Sequence, residues 1–145
     1  MSTVQDIIAA KGRKVWSVAR DATVIEAVRL MTAQKIGAVV VLDDGQFVGI
    51  FTERDLMRRV VAELRDPAQE CVGDVMTVEM VTCHAAMSIE EARTVMRDQR
   101  VRHLPLTDID GQLTGLVSIG DLNAHMLVDQ EQTIGVLQDY LYGRS

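Results

Sequence analysis

Gly49-Ile50-Phe51-Thr52-Glu53-Arg54-Asp55 and Gly115-Leu116-Val117-Ser118-Ile119-Gly120-Asp121 are two copies of one sequence pattern. Each copy has a glycine, a short apolar run, a hydroxyl residue, and an aspartate three positions after the hydroxyl. Each copy also follows a stretch of turn-forming residues, Asp43-Asp44-Gly45 or Asp108-Ile109-Asp110-Gly111. The copies begin 66 residues apart (115 − 49 = 66), so the chain is first of all a duplicated unit.

The duplication includes residues well before the motif. Thr23-Val24-Ile25-Glu26 recurs as Ser88-Ile89-Glu90-Glu91, and Met31 recurs as Met96, both at an offset of 65 residues. The difference of one residue between the two offsets fits inside the longer second turn. Each copy therefore predicts the same order of elements, which is strand, helix, strand, strand, helix.

Apolar spacing and capping residues place the elements of the first copy. Thr23 and Glu26 form a capping box, and Asp44-Gly45 is a turn between two β-branched runs. The predicted elements are a helix over 3–11, a short strand over 15–18, a helix from Thr23, strands over 36–42 and 47–51, and a helix from Thr52 to about Leu64.

The second copy repeats this order. Its predicted elements are a short strand over 81–83, a helix capped by Ser88 with Glu91, hairpin strands over 101–106 and 113–117, and a helix capped by Ser118. Leu127, Ile134, Leu137 and Leu141 then predict one apolar side of a terminal helix, although Gly135 weakens its regularity.

This pattern predicts an α/β (α+β) protein of two repeats, each β-α-β-β-α. The expected divisions are 1–66 for the first repeat with its N-terminal helix, 67–128 for the second repeat, and 129–145 for a C-terminal helical tail. One repeat alone cannot bury both faces of its helices. We therefore expect the two repeats to pack about a pseudo-two-fold axis.

Composition narrows the function classes. The net charge of −6 argues against general affinity for nucleic acid or an anionic membrane surface. The first ten residues do not resemble a signal peptide, and the longest apolar stretch, Ile36 to Leu42, is too short to span a bilayer. Cys71 and Cys83 have no CxxC spacing and are expected to be ordinary small apolar residues. These observations favour a cytoplasmic protein in a reducing compartment.

The sequence gives little support for a catalytic site or a metal site. His84, His103 and His125 have no ligand-like spacing with one another or with the cysteines, so no metal site is predicted. No nucleophile and base can be paired and there is no phosphate-binding P-loop, so no catalytic residue is predicted.

The repeated motif has two interpretations. Thr52 with Asp55, and Ser118 with Asp121, can be capping boxes and nothing more. However, each motif follows a buried strand, and the helix that it opens offers N–H groups and a dipole to an anion. The hydroxyl can hold a phosphate, and the carboxylate one turn later can accept two ribose hydroxyls. This second arrangement has the dimensions of a nucleotide.

The motif and its place in the repeat resemble the cystathionine-β-synthase (CBS) domain. The resemblance covers essentially residues 1–128 and looks like a tandem pair of the stand-alone bacterial type. Its best matches are the motif at 49–55, the run Arg102-His103-Leu104-Pro105, and Ser118-Ile119-Gly120-Asp121. Any one of these matches is modest evidence for the family, whereas the whole set, duplicated in register, is specific for it.

The resemblance implies two clefts between the repeats that bind adenine nucleotides, most often AMP, ADP or ATP, and sometimes NAD or S-adenosylmethionine. It assigns Asp55 and Asp121 to the ribose and Thr52 and Ser118 to phosphate. It places the adenine on the short first strand and on the residues that enter the second strand. The binding residues that it implies are Ser17, Ile36, Gly37, Ala38, Thr52, Arg54 and Asp55 in the first repeat, and Thr82, Arg102, His103, Leu104, Pro105, Ser118 and Asp121 in the second.

The chain departs from the family pattern in two respects. Arg20 and Ala85 stand where the family commonly has a proline after the short first strand, which bears on loop stiffness. The second repeat has Arg102-His103 where the first has Gly37-Ala38, and the first has Glu53-Arg54 where the second has Ile119-Gly120. Cations for a phosphate are thus divided between the repeats, and we expect clefts of unequal affinity.

The predicted function is a non-catalytic regulatory module that senses adenine nucleotides, requires no cofactor and acts on an effector protein in trans. A homodimer is expected, through the helices over 23–31 and 88–96 or through the motif helices. One alternative is a purely structural dimerisation module with empty clefts. Another is a nucleotide-processing enzyme, for which Glu53 is the only nearby base in either motif.

Overall fold

The computed structural model describes residues 2–12 and 14–142. Its elements follow the predicted order except that no strand forms over 81–83. The helices are α1 (Val4–Lys11), α2 (Val24–Gln34), α3 (Glu53–Asp55), α4 (Val72–Val75), α5 (Ile89–Gln99) and α6 (Ile119–Tyr142). A π-helical segment, Leu56–Val61, continues α3. The strands are β1 (Ser17–Ala19), β2 (Ala38–Asp43), β3 (Gln46–Thr52), β4 (His103–Thr107) and β5 (Leu113–Ser118). The predicted α+β class is confirmed.

The chain forms two compact units, which we call the first and the second unit. The first unit contains residues 14–81 and 109–113, and the second contains the described residues of 1–13, 82–108 and 114–145. Helix α1 therefore belongs to the same unit as the second sequence repeat, and α4 to the same unit as the first. Each repeat thus gives its leading helix to the core of the other. The repeat boundaries and their pseudo-two-fold arrangement stay predictions.

The first unit is built on a three-stranded sheet of order β1-β2-β3. Strand β1 runs parallel to β2 with Ser17 opposite Val40, and β2 runs antiparallel to β3 with Ala38 opposite Thr52. Asp44 and Gly45 both have positive φ in the tight turn, as a two-residue hairpin requires. Its buried core consists of Val24, Ala27, Met31, Val39, Val41, Phe51, Val60, Val72, Val75 and Met76.

The second unit has a two-stranded sheet, β4-β5, and a core of its own. Helix α1 lies in this core because Val4, Ile7 and Ile8 form one apolar face. The other buried members are Cys83, Ile89, Ala92, Met96, Leu104, Leu106, Val117 and Leu122.

The predicted caps of α2 and α5 are present. Thr23 and Glu26 exchange both bonds of a capping box, and the Ser88 hydroxyl accepts from the Glu91 backbone N–H at 3.0 Å. Both helices end on a basic residue with left-handed backbone, Lys35 and Arg100, each with φ of 56°. Local sequence therefore determines where these helices begin and end.

Two predicted strands are corrected. The first lies at Ser17–Ala19, not over 15–18. The strand expected over 81–83 is reduced to a parallel bridge between Cys83 and Leu106, formed by Cys83 N–H to the Pro105 carbonyl and Thr107 N–H to the Cys83 carbonyl. Of the three residues expected in that strand, only Cys83 is buried, so the other two have no core to hold them in a ladder.

Two predicted helices are also corrected. The motif helix of the first unit does not run to Leu64 as an α-helix, because its turns widen to i→i−5 bonds such as Ala62 N–H to the Met57 carbonyl. Val60 is fully buried, while Val61 is 62% exposed. No separate terminal helix exists, since α6 runs without interruption to Tyr142. The last residues of the predicted 129–145 tail, 143–145, lie outside the described residues.

Across the described residues, no helix combines the length and the apolar character that crossing a membrane requires.

Candidate functional site

Each motif lies where a strand passes directly into a helix. Thr52 ends β3 and caps α3, with its backbone N–H donating to Asp55 Oδ2 at 3.0 Å and its Oγ1 accepting from Asp55 N–H at 3.2 Å. Ser118 ends β5 and caps α6 in the same way, at 2.8 Å and 3.1 Å. Both motifs are therefore capping boxes, and their aspartates lie in the first turn of a helix.

The structure brings the residues that enter the second strand against each motif. Glu53 N–H donates to the Gly37 carbonyl at 3.0 Å, and Ile119 N–H donates to the Arg102 carbonyl at 2.9 Å. These two bonds occupy equivalent places in the two units. Gly37 thus lies beside Thr52, and Arg102 lies beside Ser118.

The other predicted site residues differ in what they can offer a ligand. Ser17, Thr82 and Arg102 are exposed, and Ile36, Arg54 and His103 are half-buried. Ala38, Leu104 and Pro105 are buried, and Leu104 has no exposed surface at all. The side chains of these three residues serve the core, so only their backbone groups remain for recognition.

Asp55 in the first unit is almost completely enclosed, with 5% of its surface exposed. Its Oδ2 also accepts from the Thr52 hydroxyl at 3.2 Å, and its Oδ1 accepts from the Thr77 hydroxyl at 2.9 Å. Arg59 Nε lies 3.8 Å from Oδ1, while the same guanidinium donates through Nη1 to the Met76 carbonyl at 2.7 Å. Both carboxylate oxygens of Asp55 are therefore occupied by the protein itself.

Asp121 in the second unit is more open, with 23% of its side chain exposed. Its Oδ2 accepts from Ser118 N–H and from Lys11 Nζ, the latter at 2.7 Å, and Lys11 Nζ also donates to the Leu116 carbonyl at 2.9 Å. Within the described residues, Asp121 Oδ1 accepts no hydrogen bond and the Ser118 hydroxyl donates none. The second motif thus keeps an acceptor and a donor for another molecule.

Three residues at these motifs were not predicted from sequence. Arg59 lies four residues after Asp55 and could have been found from helical spacing. Thr77 and Lys11 are 22 and 110 residues from the aspartates that they contact, so no local pattern points to them.

The remaining reactive groups do not add to the site. Burial in the core of the second unit raises the pKa of Cys83 to about 11, so its thiol stays neutral and inert. No set of three or more His, Cys, Asp or Glu side chains is arranged for a metal ion in the part of the chain that the structure describes.

Comparison with known proteins identifies the family. The model of the CBS domain matches residues 4–62 and 72–137. The CBS domain-containing protein CBSX3, mitochondrial, of Arabidopsis thaliana is 32% identical over 98% of this chain and 73% of its own length. The CBS domain-containing protein YhcV of Bacillus subtilis is 34% identical over 90% of this chain and 89% of its own length.

Solved structures agree with these sequence matches. A protein with CBS domains from Burkholderia ambifaria superimposes with a TM-score of 0.85 at 38% identity, covering 89% of this chain and 96% of the other. The chain therefore belongs to the CBS-domain family and carries two CBS domains, as the motif indicated. CBS domains are regulatory modules that generally bind adenosine-containing ligands.

Proposed function

We propose that this protein is a non-catalytic sensor of adenine nucleotides, with AMP, ADP, ATP or NAD as ligand, that regulates an effector protein in trans. The second motif is the stronger of two unequal sites. The observation that carries this proposal is the partly exposed Asp121 carboxylate, whose Oδ1 is unbonded within the described residues and lies one turn after the Ser118 hydroxyl. Asp121 receives the ribose hydroxyls, and the Ser118 hydroxyl at the N-terminus of α6 receives phosphate.

The inequality of the two sites follows from their hydrogen bonds. The Thr52 hydroxyl donates its proton to Asp55, and Asp55 must lose the hydrogen bond from Thr77 before it can accept one from a ribose hydroxyl. Ser118 and Asp121 need to give up neither of these contacts. A first ribose hydroxyl can therefore bind Asp121 Oδ1 without breaking a hydrogen bond within the described residues, whereas a second one at Oδ2 would displace Lys11.

The Asp121→Ala variant is expected to lose affinity for AMP, ATP and NAD. A hydrogen bond to a charged group contributes about 1.5–3 kcal/mol, so the dissociation constant should rise roughly ten- to one-hundred-fold. Isothermal titration calorimetry of the three ligands against wild type measures this change. Asp98→Ala is the matched control, because it removes an exposed aspartate that lies on α5 and pairs with its neighbour Arg97.

The other outcomes are equally informative. Unchanged affinity in Asp121→Ala would leave the motif as a capping box and remove the proposed site. If no ligand binds wild type and none raises its melting temperature, the protein is the structural dimerisation module instead. Conversion of ATP that is lost in Glu53→Gln would favour the enzyme.

We further propose a homodimer formed through the motif helices. Val61 on the π-helical segment and Leu127 on α6 are equivalent in the two repeats (127 − 61 = 66), and they are 62% and 60% exposed. Met57 on the same segment is 60% exposed. The valine, isoleucine, leucine and methionine side chains of α2 and α5 are instead buried or half-buried. Exposed apolar residues on both motif helices favour these helices over α2 and α5 as the interface.

The Val61→Lys/Leu127→Lys double variant is expected to be monomeric where wild type is dimeric, because each lysine places a charge in an apolar contact. Light scattering at several protein concentrations measures the mass. Thr32→Lys/Thr94→Lys adds the same charge to exposed positions of α2 and α5 and serves as the control. Dissociation by the control pair alone would move the interface to α2 and α5, and a monomeric wild type would refute the homodimer.

A further inference from the structure

Lys11 makes a contact that the function of a capping motif does not require. Its ammonium lies 2.7 Å from Asp121 Oδ2 and 2.9 Å from the Leu116 carbonyl, with 36% of the side chain exposed. The position of Lys11 does not depend on this ion pair. Ile7 and Ile8 of the same helix are buried in the core, and the absence of a side chain at Gly115 lets Ile8 approach β5 closely. The packing of Ile7 and Ile8 in the core therefore holds Lys11 next to the second motif.

The motif at 115–121 contains no cation, although Arg102, whose carbonyl accepts from Ile119 N–H, lies beside it. It carries Ile119-Gly120 where the first carries Glu53-Arg54. A nucleotide phosphate at Ser118 would lie one helical turn from the negative charge of Asp121, in a protein whose net charge is −6. An unscreened carboxylate beside a phosphate opposes binding, so a cation is needed between them. Lys11 is already at this place, on a flexible stem, and is partly open to solvent.

The equivalent place in the first unit is filled differently. There the segment after α4 supplies the neutral hydroxyl of Thr77 to Asp55, and the guanidinium of Arg59 is tied to the Met76 carbonyl. The leading segment of each repeat thus contacts the aspartate in the other repeat's motif, but only in the second unit is its contacting group charged. A preference for charged ligands should consequently reside in the second unit.

We propose that Lys11 is the phosphate-recognising residue of the second site. Without ligand it neutralises Asp121, and with a nucleotide bound its ammonium turns to the phosphate and leaves Asp121 Oδ2 to the ribose. The inference rests on the proposed function, since it names the cation of that same site. It makes Lys11 a determinant of specificity for nucleotides over nucleosides.

The test compares AMP with adenosine, which differ only in the phosphate. In Lys11→Met the affinity for AMP should fall about tenfold, because a charge-assisted contact is lost, while the affinity for adenosine should not fall. The measured quantity is the ratio of the two affinities by calorimetry. Arg29→Met is the control, since it removes one positive charge from an exposed position on α2 and should leave the ratio unchanged. Lys11→Arg keeps the charge and should keep most of the preference.

The remaining outcomes distinguish this inference from the function on which it rests. An unchanged ratio in Lys11→Met, with both ligands still bound, would make Lys11 a structural tie only. If circular dichroism shows that Lys11→Met does not fold, Lys11→Gln replaces it, and the salt dependence of the affinity for AMP is measured. Wild-type affinity for AMP should then fall with salt more steeply than that of Lys11→Gln, and equal slopes overturn the inference. If wild type binds none of AMP, ADP, ATP and NAD, the proposed function itself fails.

Discussion

The Asp55→Ala variant is expected to unfold with a free energy about 3 kcal/mol lower than that of wild type. The substitution removes the Asp55 half of the capping box of α3 and leaves the Thr52 N–H and the Thr77 hydroxyl without their acceptor. It also removes the anion beside Arg59. Since Asp55 is 5% exposed, water cannot easily replace these bonds. Urea denaturation at neutral pH, followed by circular dichroism, measures the loss.

Asp121→Ala provides the comparison, because it removes the equivalent aspartate from a more open site. Water can reach the groups that it leaves behind, so its loss of stability should be about 1 kcal/mol, as for an ordinary helix cap. The two variants should thus differ in their main effect. Asp55→Ala should lower mainly the stability of the fold, and Asp121→Ala mainly the affinity for nucleotide. Equal losses of stability would show that burial does not distinguish the two carboxylates.

The Gly49→Ala variant is the second for which a large effect is expected, a loss of about 2–3 kcal/mol from overpacking. A Cβ at this position would lie 2.6 Å from Met76 Sδ and 2.8 Å from the Thr77 carbonyl oxygen. The sulfur can move, but the carbonyl cannot. Thr77 exchanges two backbone hydrogen bonds with Ile50, at 2.8 Å and 3.0 Å. Relief of the clash therefore breaks this bridge.

Gly115→Ala is the matched control, since Gly115 is the same motif position in the second unit. Its Cβ would lie 3.0 Å from Ile8 Cδ1, the end of a side chain, and 3.5 Å from Leu106 Cδ2, which is an ordinary contact distance. A loss below about 1 kcal/mol is expected. The double variant Gly49→Ala/Asp55→Ala should lose less than the sum of its parts, because both changes displace Thr77. A fully additive result would mean that the clash is relieved elsewhere.

Sequence alone predicts those features whose cause is local. The capping boxes at Thr23, Thr52 and Ser118 follow from residues three positions apart, and the hairpin turn follows from Asp44-Gly45. The duplication then carries each interpretation from one repeat to the other. For these reasons the fold class and the position of both motifs were predicted correctly.

Features that depend on distant contacts were not predictable in this way. The enclosure of Asp55 needs Thr77, and the ion pair of Asp121 needs Lys11, and neither partner belongs to the motif that it completes. The widened turns after α3 likewise keep Val60 in the core and let Arg59 reach the Met76 carbonyl, which no periodicity shows. Two motifs that look alike in sequence are therefore unlike in the structure.

The exchange of leading helices also determines the order in which the units can form during synthesis. The core of the first unit lies within residues 24–76 and can assemble as soon as this stretch leaves the ribosome. Helix α1 is made before any of it, yet Ile8 must wait for Leu122, which follows 114 residues later (122 − 8 = 114). Helix α1 is thus synthesised before the elements of the first unit but buried after them, and its apolar face stays exposed until the core of the second unit forms.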